Sequence, residues 1–568
     1  MAAPALAATF DDEPYYSMGP STYKVPLRMY AANRAKLVSA LKEKSPSLAN
    51  SIVFLRSGAS ATRDATDHEP LFRQESYFHY LFGVREPDFA GAVEVSTGRA
   101  VLFAPNLPED YATVMGKIRT RDEWRELYGV DDVMWDEEDV VEEWLAGALK
   151  RGDSSLPEKA AGGTGSDSDE AEEKKGGTGE DAPLAKILLL RGINTDSGKT
   201  IEQPKFRNEC PLSSHFENDS LHDIIAECRV VKSPLELSLL RHATELTSLA
   251  HAYTIARTKP GMMEYQSESL FRHYCYYSAG MRHLGYTAIC GCGPNGAVLH
   301  YGHAGAPNDR QIQEGDMCLF DLGAEYCCYG SDVTCSFPAS GTFTDDQRAI
   351  YTGVLNAQRA VYSMLKPGVS WVDCHKAAEA AILRSLVEIG IVVSGDKTIE
   401  ELVEMRLGAV FMPHGLGHFI GIDTHDVGGY LPGHPPRIVR PGLKSLRTSR
   451  VLWEGMTITV EPGCYFIDHL LNGALSSTED SPEGLAQYLD NSILSRFRSF
   501  GGVRLEDVVA VTSNGCVNYT LCPRTIDEVE HVKRGGKWPP KKDEALELRR
   551  ERLCHHAVGR FSGGGSLE

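Results

Sequence analysis

No stretch of the sequence reaches the roughly 18 consecutive apolar residues that a membrane-spanning helix needs, so no membrane partner is expected. Basic residues are in deficit, 58 Lys and Arg against 78 Asp and Glu, for a formal net charge of -20. Nucleic-acid binders ordinarily show a basic balance, so nucleic acid is not an expected partner either. The negative excess mainly favours solubility. The N-terminus has no basic residue before Lys24 and carries acids from Asp11 onward. That fits neither a secretory signal nor a transit peptide, and a cytoplasmic address is the expectation. Cysteine is missing before Cys210, and the 14 cysteines present form no CxxC pair. Reduced, mostly buried thiols are expected rather than a disulfide framework.

What is present suggests two domains. A chain of 568 residues exceeds one typical domain. Across residues 18–200, apolar runs such as Ser51–Leu55, Ala100–Ala104 and Ala185–Leu190 read as buried strands between helical stretches. This predicts an α/β layer domain. Residues 151–183 break the pattern, because Gly162 to Gly179 offers no bulky apolar side chain. A disordered insert is expected there. A second domain is placed at 228–535. Ser233-Pro-Leu-Glu236 is a capping box with proline at the first helical position. Apolar residues then follow on one face from Leu235 to Leu249. A second helix opens with a similar box at Thr344. Both helices close at a Lys-Pro-Gly, residues 259–261 and 366–368, which hints at an internal duplication. Residues 536–568 turn polar and are expected to be a flexible tail.

Metal-ligating residue types recur in the second domain, each in a stiff context. The run Met317–Asp321 reads as a buried strand ending in a carboxylate, with Asp332 eleven residues on. With Glu325–Cys328 as the turn of a hairpin, the two acids would lie opposite each other on one face. Like charges that close need a cation between them. From Pro413 to Gly428 come three histidines, His414, His418 and His425, among four glycines. Glycine allows close backbone approach to a ligand. The four-residue spacing of His414 and His418 is no zincin helix, because Gly-Leu-Gly intervenes and the zincin glutamate is missing. A strand then delivers Glu461 just before Pro462, which holds it extended. Arg504 and Glu506, two residues apart on a strand, share a face. Four carboxylates and one imidazole, taken as His418, suit Mn²⁺, Co²⁺ or Fe²⁺ better than a thiolate zinc site. Four negative charges can neutralise two dications sharing an acidified water.

The order Asp, Asp, His, Glu, Glu resembles the pita-bread metallopeptidases. Further stretches are similar to the prolidase (Xaa-Pro dipeptidase) branch: Arg73–His79, Leu190–Gly198, Leu299–Asp309, Pro413–Gly429, Leu446–Thr448 and Phe500–Arg504. The resemblance runs from about residue 20 to 527. It implies an α/β (α+β) fold, with an N-terminal creatinase-like domain before a pita-bread catalytic domain. The implied activity is hydrolysis of dipeptides ending in proline by a hydroxide bridging two divalent ions per subunit, with Mn²⁺ preferred, in a homodimer. Residue by residue, Asp321 would ligate one metal, Asp332 and Glu506 both, and His418 and Glu461 the other. Glu461 would also take a proton from the bridging water. His414 and His425 would act at the scissile carbonyl. Tyr286, His300 and Arg447 would line the substrate pocket, with Arg447 on the terminal carboxylate. Arg504 would orient a ligand. The alternatives are an aminopeptidase P acting on longer Xaa-Pro peptides and a non-catalytic pita-bread binding module. Cys464, beside Glu461-Pro-Gly463, is a candidate redox-sensitive thiol, and the departure from the family's pattern at Asp507-Val508 is expected to have little effect.

Overall fold

A computed structural model describes residues 13–20, 22–152, 185–201, 203–206, 210–477 and 484–551. The insert expected at 151–183 lies outside the described residues from 153 on, as does the tail beyond 551. Two compact units separate by their internal contacts: Leu27–Cys228, and the stretch before Leu27 together with Arg229 onward.

In the first unit, apolar alternation builds a six-stranded mixed sheet. Its strand order is Asp132–Trp135, Ala100–Ala104, Ala90–Glu94, Ile52–Arg56, Ile187–Leu189 and Phe216–Glu217. The three strands read from sequence are all present within two residues of their expected ends. One face sends Ile52, Phe54, Val101, Phe103, Ile187 and Leu189 against Val141, Leu145 and Leu149 of the helix Val140–Gly152. The period of two puts one side of each strand into a common core. The last strand lies beyond residue 200, so the unit extends further than the sequence boundary.

The second unit repeats one pattern. The helix Pro234–Arg257 starts at the Ser233 capping box and packs on Glu264–Ala279. An antiparallel sheet follows, in the order Ile289–Cys292, Met317–Asp321, Thr334–Pro338. The helix Asp345–Met364 starts at the Thr344 box and packs on Trp371–Ile389. Again an antiparallel three-stranded sheet follows, in the order Thr457–Val460, Asp507–Thr512, Gly515–Asn518. Two helix pairs, each followed by a three-stranded antiparallel sheet, match the duplication hinted at by the two Lys-Pro-Gly endings. Among the described residues, no helix is long and apolar enough to cross a membrane.

Two expectations need correction here. Described residues 18–20 and 22–26 belong with the second unit, where the Tyr326 hydroxyl donates to the Tyr23 carbonyl at 2.8 Å. The segment after 535 is packed rather than loose as far as Glu551. Leu548 is fully buried, and Arg550 donates to Glu528 at 2.7 Å and also pairs with Asp543. A guanidinium with two carboxylate partners and little exposure is held firmly.

Candidate metal centre and active site

The strand Met317–Asp321 pairs with Thr334–Pro338 so that Asp321 faces Thr334. The turn between them is Tyr326–Tyr329, one residue later than expected from sequence. These two tyrosines bond reciprocally, and Cys327 and Cys328 both take positive φ, 49° and 67°. In this register Asp332 stands opposite Gly323, and the two acids are diagonal neighbours on one face. Gly323 is required by close approach. A Cβ there would meet the Tyr286 ring at 2.7 Å and the Ser331 carbonyl at 1.9 Å. The space it leaves lets the Tyr286 hydroxyl donate to Asp321 Oδ1 at 2.5 Å.

His418 reaches the same point from the loop before the second sheet. That loop runs along the strand Thr457–Val460, with Thr459 N–H on the His418 carbonyl and Glu461 N–H on the Leu416 carbonyl, both at 2.9 Å. The His418 Nδ1–H donates to the Phe419 carbonyl at 3.0 Å, which turns Nε2 toward the acids. Nε2 lies 3.3 Å from Asp332, 3.5 Å from Glu461 and 4.0 Å from Glu506. Glu506 follows a short strand, Gly502–Arg504, rather than sharing it with Arg504. Thr334 joins the two instead. Its hydroxyl accepts from Arg504 Nε at 3.0 Å and donates to Glu506 at 2.7 Å. Arg504 also donates to Asp321 Oδ2 at 2.5 Å.

The electrostatics show what this cluster lacks. Burial, with the neighbouring acids, pushes Glu461 up to about 7 and Glu506 well above the carboxylate range. Burial also lifts Asp321 to about 6, although Arg504 opposes it. Burial works against ionised Asp332 too, but contact with His418 holds it below its usual value. Asp332 Oδ1 is buried with no hydrogen-bond partner. A cation would satisfy a buried carboxylate oxygen left in that state. Candidate ligand atoms fall into overlapping groups within 4.8 Å: Asp321, Asp332 and Glu506; His418, Glu461 and Glu506; and Asp332, His418 and His425. The residues fit divalent metal, and sharing of Glu506 and Asp332 between groups suits adjacent positions.

Metal must displace protons from these raised carboxylates, so apparent affinity increases as pH rises toward and past 7. Loading the chelated protein with Mn²⁺ at pH 6 is therefore expected to release more than one proton per subunit. Titration calorimetry in buffers of differing ionisation enthalpy measures this. Loading without proton release would contradict the raised values.

All eleven residues selected from sequence line one cavity of about 500 Å³: Tyr286, His300, Asp321, Asp332, His414, His418, His425, Arg447, Glu461, Arg504 and Glu506. The His425 ring stands perpendicular to that of His418, with centroids 4.4 Å apart. Burial, then the charges of His418 and Arg447, depresses His425 to about 2, so it is neutral at physiological pH. Burial and Arg447 also lower His300, which puts His300, His425 and Arg447 within electrostatic reach of one another. His414 is engaged at both nitrogens. Nδ1–H donates to the Gly415 carbonyl at 2.7 Å, and Nε2 takes the Tyr465 hydroxyl at 2.9 Å. Tyr465 in turn accepts from Arg504 Nη1 at 2.9 Å.

Sequence reasoning missed Thr334 and Tyr465. Tyr465 carried one usable signal: it lies four residues after Glu461, an even spacing that keeps extended residues on one face. Cys464 has the opposite phase and is absent from the cavity lining. Burial pushes its thiol up to about 12, which argues against a reactive thiolate. Asp507 anchors a buried polar network. It is fully buried and accepts from Arg524 at 2.6 and 2.9 Å and from Asn518 at 2.8 Å, while Arg524 also holds the Glu506 carbonyl at 2.6 Å.

Residues 238–513 match metallopeptidase family M24, and residues 30–155 match the aminopeptidase P N-terminal domain. The chain is 47% identical to human Xaa-Pro dipeptidase over 524 residues, 92% of this chain and 96% of that protein. This chain belongs to metallopeptidase family M24. Its likeness extends to the rat Xaa-Pro dipeptidase, 46% identical over 92% of this chain and 96% of that protein. Among solved structures, the aminopeptidase PepP of Pseudomonas aeruginosa superposes with a TM-score of 0.66 at 27% identity. That match covers 90% of this M24 chain and 98% of the other. The shared architecture is the two-domain arrangement of an aminopeptidase P-type N-terminal domain and a pita-bread domain.

Proposed function

We propose that this M24 chain is a metal-dependent Xaa-Pro dipeptidase that releases free proline. The observation that carries the reading is the convergence of four carboxylates and the Nε2 of one imidazole in a cavity that also contains Arg447. Identity of 47% to a Xaa-Pro dipeptidase, against 27% to the aminopeptidase PepP, favours the dipeptide over longer substrates.

Two divalent cations bound there, Mn²⁺ in this proposal, would polarise the scissile carbonyl and acidify a shared water. Asp321 would hold one position, His418 and Glu461 the other, and Asp332 and Glu506 both. Arg504 favours the ionised form of Asp321 and aims it, and the Thr334 hydroxyl aims Glu506. Glu461 would accept a proton from that water and return it. His425, neutral and in the cavity wall, can donate to the developing oxyanion. His414 lies 3.9 Å from Glu461 and backs it. Tyr286 and His300 shape the pocket. Arg447 binds the terminal carboxylate through its guanidinium fork. A bond to proline is a tertiary amide without N–H, so the site needs no acceptor for that nitrogen. The homodimer comes with the resemblance and, together with the cytoplasmic address, is part of the same proposal.

The purified chain loaded with Mn²⁺ is expected to cleave Gly-Pro, to stop on chelation and to recover on metal return. Cleavage that survives complete metal removal would overturn the reading. Faster cleavage of Gly-Pro-Pro than of Gly-Pro would assign an aminopeptidase instead.

A further inference from the structure

Asp426 directly follows His425 and belongs to a group of buried charges with no role in the reading above. Its Oδ1 accepts from Arg229 Nη2 and its Oδ2 from Lys232 Nζ, both at 2.7 Å. All three side chains are at most 2% exposed. Arg229 also reaches Asp423 at 2.7 Å. Taking two cations and a carboxylate out of water is costly, and apolar packing would hold a loop at least as well. Charge-assisted bonds add directional control of where the loop sits.

The surrounding backbone is built to receive this group. Asp426 N–H donates to the Phe419 carbonyl at 2.9 Å, and Gly421 N–H to the Asp423 carbonyl at 3.1 Å, which closes the loop that runs from His418 to His425. A Cβ on Gly421 would stand 2.2 Å from Asp426 Oδ2 and 3.0 Å from Lys232 Cε. The ion pair therefore lies directly on that glycine. Lys232 N–H donates to the Gly455 carbonyl at 2.9 Å, and Val231 bridges to Met456. Those residues lead into the strand Thr457–Val460 and so to Glu461. With both its side chain and its N–H engaged, Asp426 fixes the peptide plane it shares with His425.

We propose that Asp426, gripped by Arg229 and Lys232, is a positioning residue that holds His425 perpendicular to His418 in the cavity wall. The proposal rests on the dipeptidase reading, in which His425 meets the reacting carbonyl. A displacement of about 1 Å at such a group is enough to cost on the order of 100-fold in rate.

The test is a double-mutant cycle on the full-length, Mn²⁺-loaded protein with Gly-Pro. Asp426→Asn is expected to lower kcat by roughly 10- to 100-fold, with KM changed less than about threefold and bound metal per subunit unchanged. In a His425→Ala background the same substitution is expected to cost less than about twofold, because the group it positions is gone. Lys232→Met leaves Arg229 on the carboxylate. It is expected to give an intermediate loss, and it carries the comparison should Asp426→Asn not accumulate as folded protein. Equal losses in both backgrounds would overturn the proposal, as would a lowered Tm with unchanged kcat. Either result leaves the dipeptidase reading standing. A wild-type protein inert toward Gly-Pro would remove that reading and this one together.

Discussion

Asp332→Ala is expected to reduce Gly-Pro turnover by about 1,000-fold or more and to empty at least one metal position, while leaving the fold intact. The size of the effect follows from the place of Asp332 in two of the three ligand groups. Its Oδ1 has no partner within the protein, and its Oδ2 is 3.3 Å from His418 Nε2. No other described side chain takes its place between those groups. The fold should survive, because the charge removed is one that repels Glu506 and Glu461 in the metal-free state. Metal analysis of the purified variant, circular dichroism and the Gly-Pro assay together check this. Two tightly bound ions with a normal rate would show that Asp332 does not bridge.

Arg447→Met is expected to raise KM for Gly-Pro about 10- to 100-fold and to weaken the preference for dipeptides over tripeptides. Hydrogen bonds to a charged group contribute about 1.5–3 kcal/mol, which corresponds to that range. The neighbouring imidazoles are poor substitutes: burial, which remains when Arg447 is removed, disfavours the charged form of both His300 and His425. Arg447→Lys should recover part of the loss, since an ammonium supplies charge without the fork. The measurement is KM and kcat on Gly-Pro and Gly-Pro-Pro for both variants. An unchanged KM would place the substrate carboxylate elsewhere in the cavity.

The sequence by itself determined the starts of the long helices at Ser233 and Thr344, the strand Met317–Asp321 and the kinds of ligand available. Each of these rests on contacts within a few residues: a capping box, an alternation of apolar side chains, a proline that keeps its neighbour extended. The tertiary structure alone decided the hairpin register that places Asp332 opposite Gly323. It also decided the link from Thr334 to Glu506 across 172 residues, that from Arg504 to Asp321 across 183, and the grip of Arg229 and Lys232 on Asp426 across about 200. Such pairings satisfy buried charges and polar groups that only meet once distant strands pack. A single chain read residue by residue shows that those groups exist, but it holds no local pattern that says which will meet which.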